Sequence, residues 1–327
     1  YIRQGNAKAV NALVADMNAG KVGVLLMDGV NPMFTLPNAA DFKSGMEKVD
    51  MSVTFSTNWN ETTAVTNYAA ASNHYLESWG DLEIKKGHFS LMQPTIKELF
   101  DTRQFQGALL QWMGSDKSYY DYIKETWSTF VLNRSRWNKT LQDGVFDATA
   151  AKMMMEPSND ADPRMMLQSD DKEVATEAMD DETMSTSAAV SIEAAVRSLA
   201  GASSGDGMEL VLYSKVGMGD GQQASNPWLQ EFPDPITRVS WDNYITISKK
   251  DAENLDMKNW NVANGGMNGS YAKLTVNGVS IDKVPVIVQP GQAVGSIGLS
   301  LGYGKTVGMK SEMQTGVNAY PLYPVSY

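Results

Sequence analysis

The sequence predicts an α/β protein, with a parallel-sheet α/β domain over its first half and a β-rich barrel or sandwich over its last third. Three observations predict it. Between residues 7 and 62, helix-period stretches alternate with strand-sized apolar runs. From Met208 onward, short β-branched and aromatic runs recur between Gly, Pro, Asn and Asp. Finally, 327 residues at 43% apolar and 20% charged form a folded chain long enough for two domains.

Ala7–Ala19 reads as an amphipathic helix with Val10, Leu13, Val14 and Met17 on one face, ended by Gly20. Val22–Met27 follows as a buried strand and feeds the polar loop Asp28-Gly29-Val30-Asn31-Pro32. A second helix at about Ala39–Lys48 precedes a second strand, Met51–Phe55, and the polar loop Ser56–Thr62. This βαβ rhythm puts both loops at the carboxyl ends of parallel strands, where such folds place ligands. Ala64–Ala71 reads as helical or turn-like, residues 73–81 as a polar-aromatic stretch, and Phe105–Trp112 and Tyr119–Leu132 as helices. The first domain covers residues 1–152.

Residues 153–186 form an insertion rich in Met, Asp and Glu, expected to be solvated, with docking of a basic cytochrome as the sharper alternative. Ser187–Leu199 reads as a helix, and 187–204 as helix and linker. The second domain, 205–327, holds strands at Leu210–Tyr213, Tyr244–Ile247, Tyr271–Val276, Lys283–Val288 and Val294–Leu301. A short helix capped by Ser248 lies among them.

Composition excludes several chemistries. The net charge of −11 repels nucleic acid and anionic lipid. With no Cys, the chain supplies no disulfide, thiolate nucleophile or iron–sulfur ligand. No run reaches the ~20 apolar residues of a membrane span. Walker A, His-Glu-x-x-His and Gly-x-Ser-x-Gly patterns are missing from the sequence. His74, Glu77, Asp81 and His88 are adequate ligand types for a metal or acid–base site, yet only a helix would align His74 with Glu77, and Ser78-Trp79-Gly80 opposes one. Metal ligands are therefore not expected. Gly217–Gly221 reads as a loop rather than a phosphate cradle, and Trp228, Trp241, Trp260 and Tyr303 as packing anchors rather than cleft walls. The Asn133 and Asn268 sequons read as surface loops. A first residue other than Met, entering almost at once into a helix, suggests a piece of a longer chain.

Several motifs occur in a telling order. They run Asp28–Pro32 with Leu36-Pro37, Asn58–Thr62, His74–Asp81, Gln93-Pro94 and Phe100–Gln104. They continue with Ala224–Pro235, Trp241–Tyr244, Gln289–Gly291 and Gly302–Lys305. Together these resemble the later half of a molybdopterin oxidoreductase chain, most nearly the alternative complex III branch of that superfamily. The resemblance implies a parallel-sheet α/β segment followed by a six-stranded-type β-barrel of the molybdopterin-dinucleotide-binding kind. It further implies a module that has lost the molybdenum cofactor and carries no catalytic residue. Such a module would be a structural part of the iron–sulfur subunit of a respiratory quinol:cytochrome c oxidoreductase on the periplasmic face of the bacterial inner membrane. Iron–sulfur clusters are expected in the remainder of that subunit, and haem c subunits and a quinol-oxidising membrane subunit as partners.

Two departures agree with cofactor loss. Asn67–Ser72 lacks the proline found where active relatives approach the His-Tyr stretch, and the barrel lacks a basic cluster for a pyrophosphate. The cleft between the two halves is accordingly expected to be filled by polypeptide. The competing reading is the cofactor-bearing part of an active enzyme such as a polysulfide or thiosulfate reductase. In that case Asn31, Ser56, Asn58, Glu61 and Thr62 would face one pterin nucleotide, and Asn226, Trp228 and Asn243 another.

Overall fold

A computed structural model describes residues 6–132, 135–148, 207–262 and 266–324, with 192, 193, 196 and 197 as isolated helical positions. The acidic Met-rich insertion and nearly all of the Ser187–Leu199 helix lie outside the described residues. The chain divides into two units, Tyr1–Ala151 with Glu209–Tyr327, and Lys152–Met208. Only the first is described below.

Helix α1 (Ala7–Asn18) starts where the Asn6 side chain accepts the Ala9 amide at 2.7 Å and stops at Gly20, whose φ of +69° suits a residue without Cβ. Val14 and Met17 are buried, while Val10 and Leu13 of the same stripe remain at the surface. Strand β1 (Val24–Asp28) alternates exposed and buried, and sends Leu25 and Met27 to meet that helix. Helices α2 (Pro32–Thr35) and α3 (Ala39–Met46) follow, and Phe42 and Met46 complete the cluster. Strand β2 (Met51–Ser56) lies parallel to β1, with Val24 opposite Met51.

Beyond β2 the outcome departs from the expected helix or turn at Ala64–Ala71. Residues 61–65 are turns, but Tyr68–Ala71 form β3, parallel to β2 with Val53 opposite Tyr68. Alanine is the best helix former, but intrinsic propensity is small beside tertiary packing, and here two tertiary gains outweigh it. Ala70 offers a small surface to Phe55, Phe105 and Ala108, and the backbone completes the ladder to β2. An antiparallel hairpin, β4 (Gly80–Lys85) and β5 (His88–Met92), lies where the sequence showed no clear alternation, and β6 (Val145–Asp147) adds to β5.

Helix α4 (Phe105–Trp112) is as expected. The stretch expected as one helix from Tyr119 to Leu132 is instead α5 (Tyr119–Thr126) running into a π-helical turn, Trp127–Val131. That turn delivers Trp127 to full burial against Trp137 of α6 (Trp137–Asp143).

The later part comprises β7 (Glu209–Tyr213), α7 (Pro227–Glu231), β8 (Ile245–Ile247), α8 (Lys249–Asn254), β9 (Asn259–Asn261), β10 (Met267–Gly269), β11 (Tyr271–Val276), β12 (Val279–Val288) and β13 (Ser296–Ser300). Among the described residues the strands do not close into the six-stranded barrel expected here. Five strands form a mixed sheet in the order β11-β12-β8-β13-β7, with β9 and β10 as a separate ribbon. A backbone φ of +58° at Lys283 and a register shift in the β11–β12 ladder accompany a division of β12 between two neighbours. Its first part pairs with β11, and Val286–Val288 pair in parallel with β8. Among the described residues no helix is long and apolar enough to cross a membrane.

The later part closes onto the α/β part. Asn318 Nδ2 donates to the Phe34 carbonyl at 3.2 Å, the Tyr320 ring meets Phe34 edge-on at 5.4 Å, and Gln222 Nε2 donates to the Gly29 carbonyl at 3.0 Å. Gly308 sits in the left-handed region at φ +71°, against the Trp59 carbonyl where a Cβ would have no room. Gly308→Ala combines backbone strain with this clash and is expected to cost about 2 kcal/mol or more. A lowered thermal midpoint in calorimetry checks it.

Candidate active-site cavity at the strand ends

Parallel strands β1, β2 and β3 all point their carboxyl ends the same way, so their following loops converge. They form one side of a cavity of about 690 Å³, and β4, β5, the start of α4 and residues Gln222, Gln223 and Lys305 form the other. Among the residues suggested by the sequence, Asn31, Ser56 and Asn58 line it. The expected filling by polypeptide is not provided by the described residues.

Asn31 fixes the geometry of the loops. Its Oδ1 accepts from Thr62 Oγ1 at 2.7 Å and from the Thr62 amide at 3.1 Å, and its Nδ2 donates to Glu61 Oε2 at 2.7 Å. Glu61 and Thr62 thus serve as buttresses behind the wall. Asn60 is buried and holds the Thr62 and Thr63 amides on Oδ1, both at 3.0 Å, while Nδ2 donates to Ser56 Oγ.

Asn226, Trp228 and Asn243 do not join this cavity. Asn226 caps α7 by accepting the Trp228 amide at 3.1 Å, and the Trp228 ring is 80% exposed. Asn243 is fully buried, donating to the Ser300 and Val317 carbonyls at 2.8 and 2.9 Å and accepting the Val317 amide at 2.9 Å. Tyr303 is a packing residue, as expected, but Trp260 and Trp228 stand at the surface. The glycines of the 217–221 loop serve close approach: Gly221, at φ +93°, lies against the Gly302 backbone.

His74, Glu77, Asp81 and His88 do not assemble into a metal site. Both Glu77 oxygens are committed, Oε2 to the His74 amide at 2.8 Å and Oε1 to the Leu99 amide at 3.0 Å, which holds its carboxyl below the ordinary range. Asp81 Oδ2 accepts Trp127 Nε1 at 2.7 Å, and His88 Nε2 lies 3.0 Å from Asp147 Oδ2. His74 Nδ1 accepts the Leu76 amide. Among the described residues no group of three or more such side chains converges.

A pterin dinucleotide carries a diphosphate, which needs arginine, lysine or a long helix's amino end. Lys305 is the one full cation in the cavity wall, and its Nζ, buried over the Phe34 ring at 5.5 Å, donates to the Gly221 carbonyl at 3.3 Å. Burial lowers its pKa. Asp28 and Asp81 line the same cavity from opposite sides, and burial pushes the Asp28 carboxyl upward. The residues present do not fit a diphosphate.

A second cluster, around Lys215, has no signature in the sequence. Its Nζ donates to the Asp242 carbonyl at 3.1 Å and lies over the Tyr244 and Tyr303 rings at 4.1 and 5.0 Å. Asp242 Oδ1 is buried without a partner, and Tyr244 shares a short hydrogen bond with Thr237. Burial brings Lys215 down to about 8, against the nearby charges of Asp234 and Asp242, and pushes Tyr213, Tyr244 and Tyr303 upward.

No family model matches the chain, and no curated protein matches it. Among solved structures it is similar to the acetylene hydratase from Pelobacter acetylenicus, with a TM-score of 0.53 and 12% identity over 89% of this chain. The match takes in 39% of the hydratase chain, so this chain spans well under half of that protein's length. At this identity the likeness is one of fold. It agrees with the mixed α/β architecture described above.

Asn31→Ala removes the acceptor shared by the Thr62 hydroxyl and amide and the donor to Glu61, so a cost of about 1–3 kcal/mol in urea unfolding is expected. The pH dependence has a definite sign. A lysine whose folded pKa lies below its unfolded value gives stability that grows as pH rises from the folded to the unfolded pKa. Between pH 7.5 and 9.5 the protein should therefore gain roughly 1–2 kcal/mol, before tyrosines ionising in the unfolded chain reverse the trend. In Lys215→Met that rise should shrink, as read from urea midpoints.

Proposed function

We propose that this chain is a non-catalytic structural module of the iron–sulfur subunit of alternative complex III, a quinol:cytochrome c oxidoreductase of the respiratory chain. The observation that carries it is the molybdopterin oxidoreductase-like fold combined with a strand-end cavity whose wall opposes a diphosphate. In this reading the later sheet is the counterpart of the family's dinucleotide-binding barrel, serving as a brace. The subunit lies at the periplasmic face of the inner membrane, against haem c subunits and the quinol-oxidising membrane subunit. Electron transfer needs fixed distances between redox centres, and a rigid body without Cys contributes that distance, while clusters sit in the rest of the subunit.

A second reading, the cofactor-bearing part of an active molybdopterin oxidoreductase, draws support from the cavity itself and from Asn31, Ser56 and Asn58 on its wall. Elemental analysis of the purified complex separates the two. Iron with less than 0.1 molybdenum or tungsten per chain is expected; a stoichiometric amount of either metal would establish the second reading.

A further inference from the structure

The strand-end cavity holds more hydrogen-bond acceptors than its own donors satisfy. Asp28 ends β1 on the cavity wall, and its carboxylate has no hydrogen bond or ion pair among the described residues. Asn73 Oδ1, on the loop after β3, is buried and likewise without a partner. On the facing wall Asp81 commits one oxygen to Trp127. The rings of Tyr75 and Trp79 line the same space.

Charge points the same way. Glu61 stands behind Asn31, and Asp220 lines the adjoining crevice of about 90 Å³. Against these four carboxylates stand Lys305, committed to Gly221, and the amino end of α4, roughly half a unit charge. The field inside is negative and the walls are partly aromatic. Carboxylates with open lone pairs beside ring faces recognise cations, by charge-assisted hydrogen bonds and by the ring quadrupole. A volume of this size admits a small organic molecule or one long side chain.

We propose that the cavity binds an organic cation, a guanidinium or primary ammonium, whether from a free amine or from an Arg or Lys side chain of a docking protein. Asp28 is the principal partner, with Asn73 Oδ1 as a second acceptor and Tyr75 and Trp79 as the flanking faces. This assignment does not depend on the scaffold reading, because it rests on the cavity wall alone.

The test uses the full-length protein in low salt, with binding read by calorimetry and tryptophan fluorescence. Probes are n-butylguanidinium, its uncharged isostere n-butylurea, GDP, and the peptides acetyl-Gly-Arg-Gly-amide and acetyl-Gly-Gln-Gly-amide. The cations should bind at least tenfold more tightly than their neutral counterparts, and GDP should not displace them. Asp28→Asn should weaken the cation about tenfold, and Asn58→Lys, which sets a positive charge on the wall, should do the same. Neither side chain belongs to a packed apolar cluster, so an unchanged melting midpoint accompanies each. Similar affinities for butylguanidinium and the Arg peptide would assign the site to a free amine, and a tenfold preference for the peptide to a partner's side chain. Equal binding of butylurea, tighter binding of GDP, no binding of either cation, or indifference to Asp28→Asn would each overturn the assignment.

Discussion

Parallel strands end without a turn to join them, so something other than the backbone ladder must hold their carboxyl-end loops in place. In this protein it is the Asn31 carboxamide. It takes the hydroxyl and amide of Thr62 and gives to Glu61, whose other oxygen meets the Thr306 amide at 3.4 Å. Segments thirty residues apart, and a third some 245 residues further on, are thereby tied at one point. The cavity exists because these loops are held apart and fixed; the closure of the later sheet over Phe34 and Gly29 relies on the same loops standing still.

The position of the cavity belongs to the fold, and its chemistry belongs to this sequence. An α/β sheet of this kind offers a crevice at its strand ends whatever the side chains are. Here the crevice carries Asp28 and Asp81 against a lone lysine that burial has already weakened as a charge. None of these wall residues belongs to the packed clusters around Met17, Phe42 and Trp127, so the charge of the cavity can change without disturbing them.

Much of the α/β part was legible in the sequence. Helix α1, strands β1 and β2 and the polar loops after them follow from apolar period and from Gly and Asn signals, and those loops carry Asn31, Ser56 and Asn58, which line the cavity. Strand β3 was not legible, since Ala64–Ala71 reads as helical or turn-like until Phe55 and Phe105 are seen packed beside Ala70. Nor was the hairpin β4–β5, whose residues are mostly exposed or half-buried and show no clean alternation. Asn226 and Asn243 illustrate a different difficulty. Asparagine caps helices and ties loops as readily as it meets ligands, and only contacts reveal which. The Lys215 cluster was hidden because Tyr213, Asp234, Tyr244 and Tyr303 are scattered along ninety residues.

The pairing of β7 with β13 has a bearing on biogenesis. Glu209–Tyr213 has its neighbour in Ser296–Ser300, and the wall residue Lys305 and the Asn318 clasp lie later still. A chain emerging amino end first must carry its strand tips bare until the segment holding Asn318 has been synthesised, and parallel ladders of such wide separation assemble slowly. During that interval the nascent chain presents open strand edges and apolar side chains to water, the condition under which unpaired strands associate with other chains.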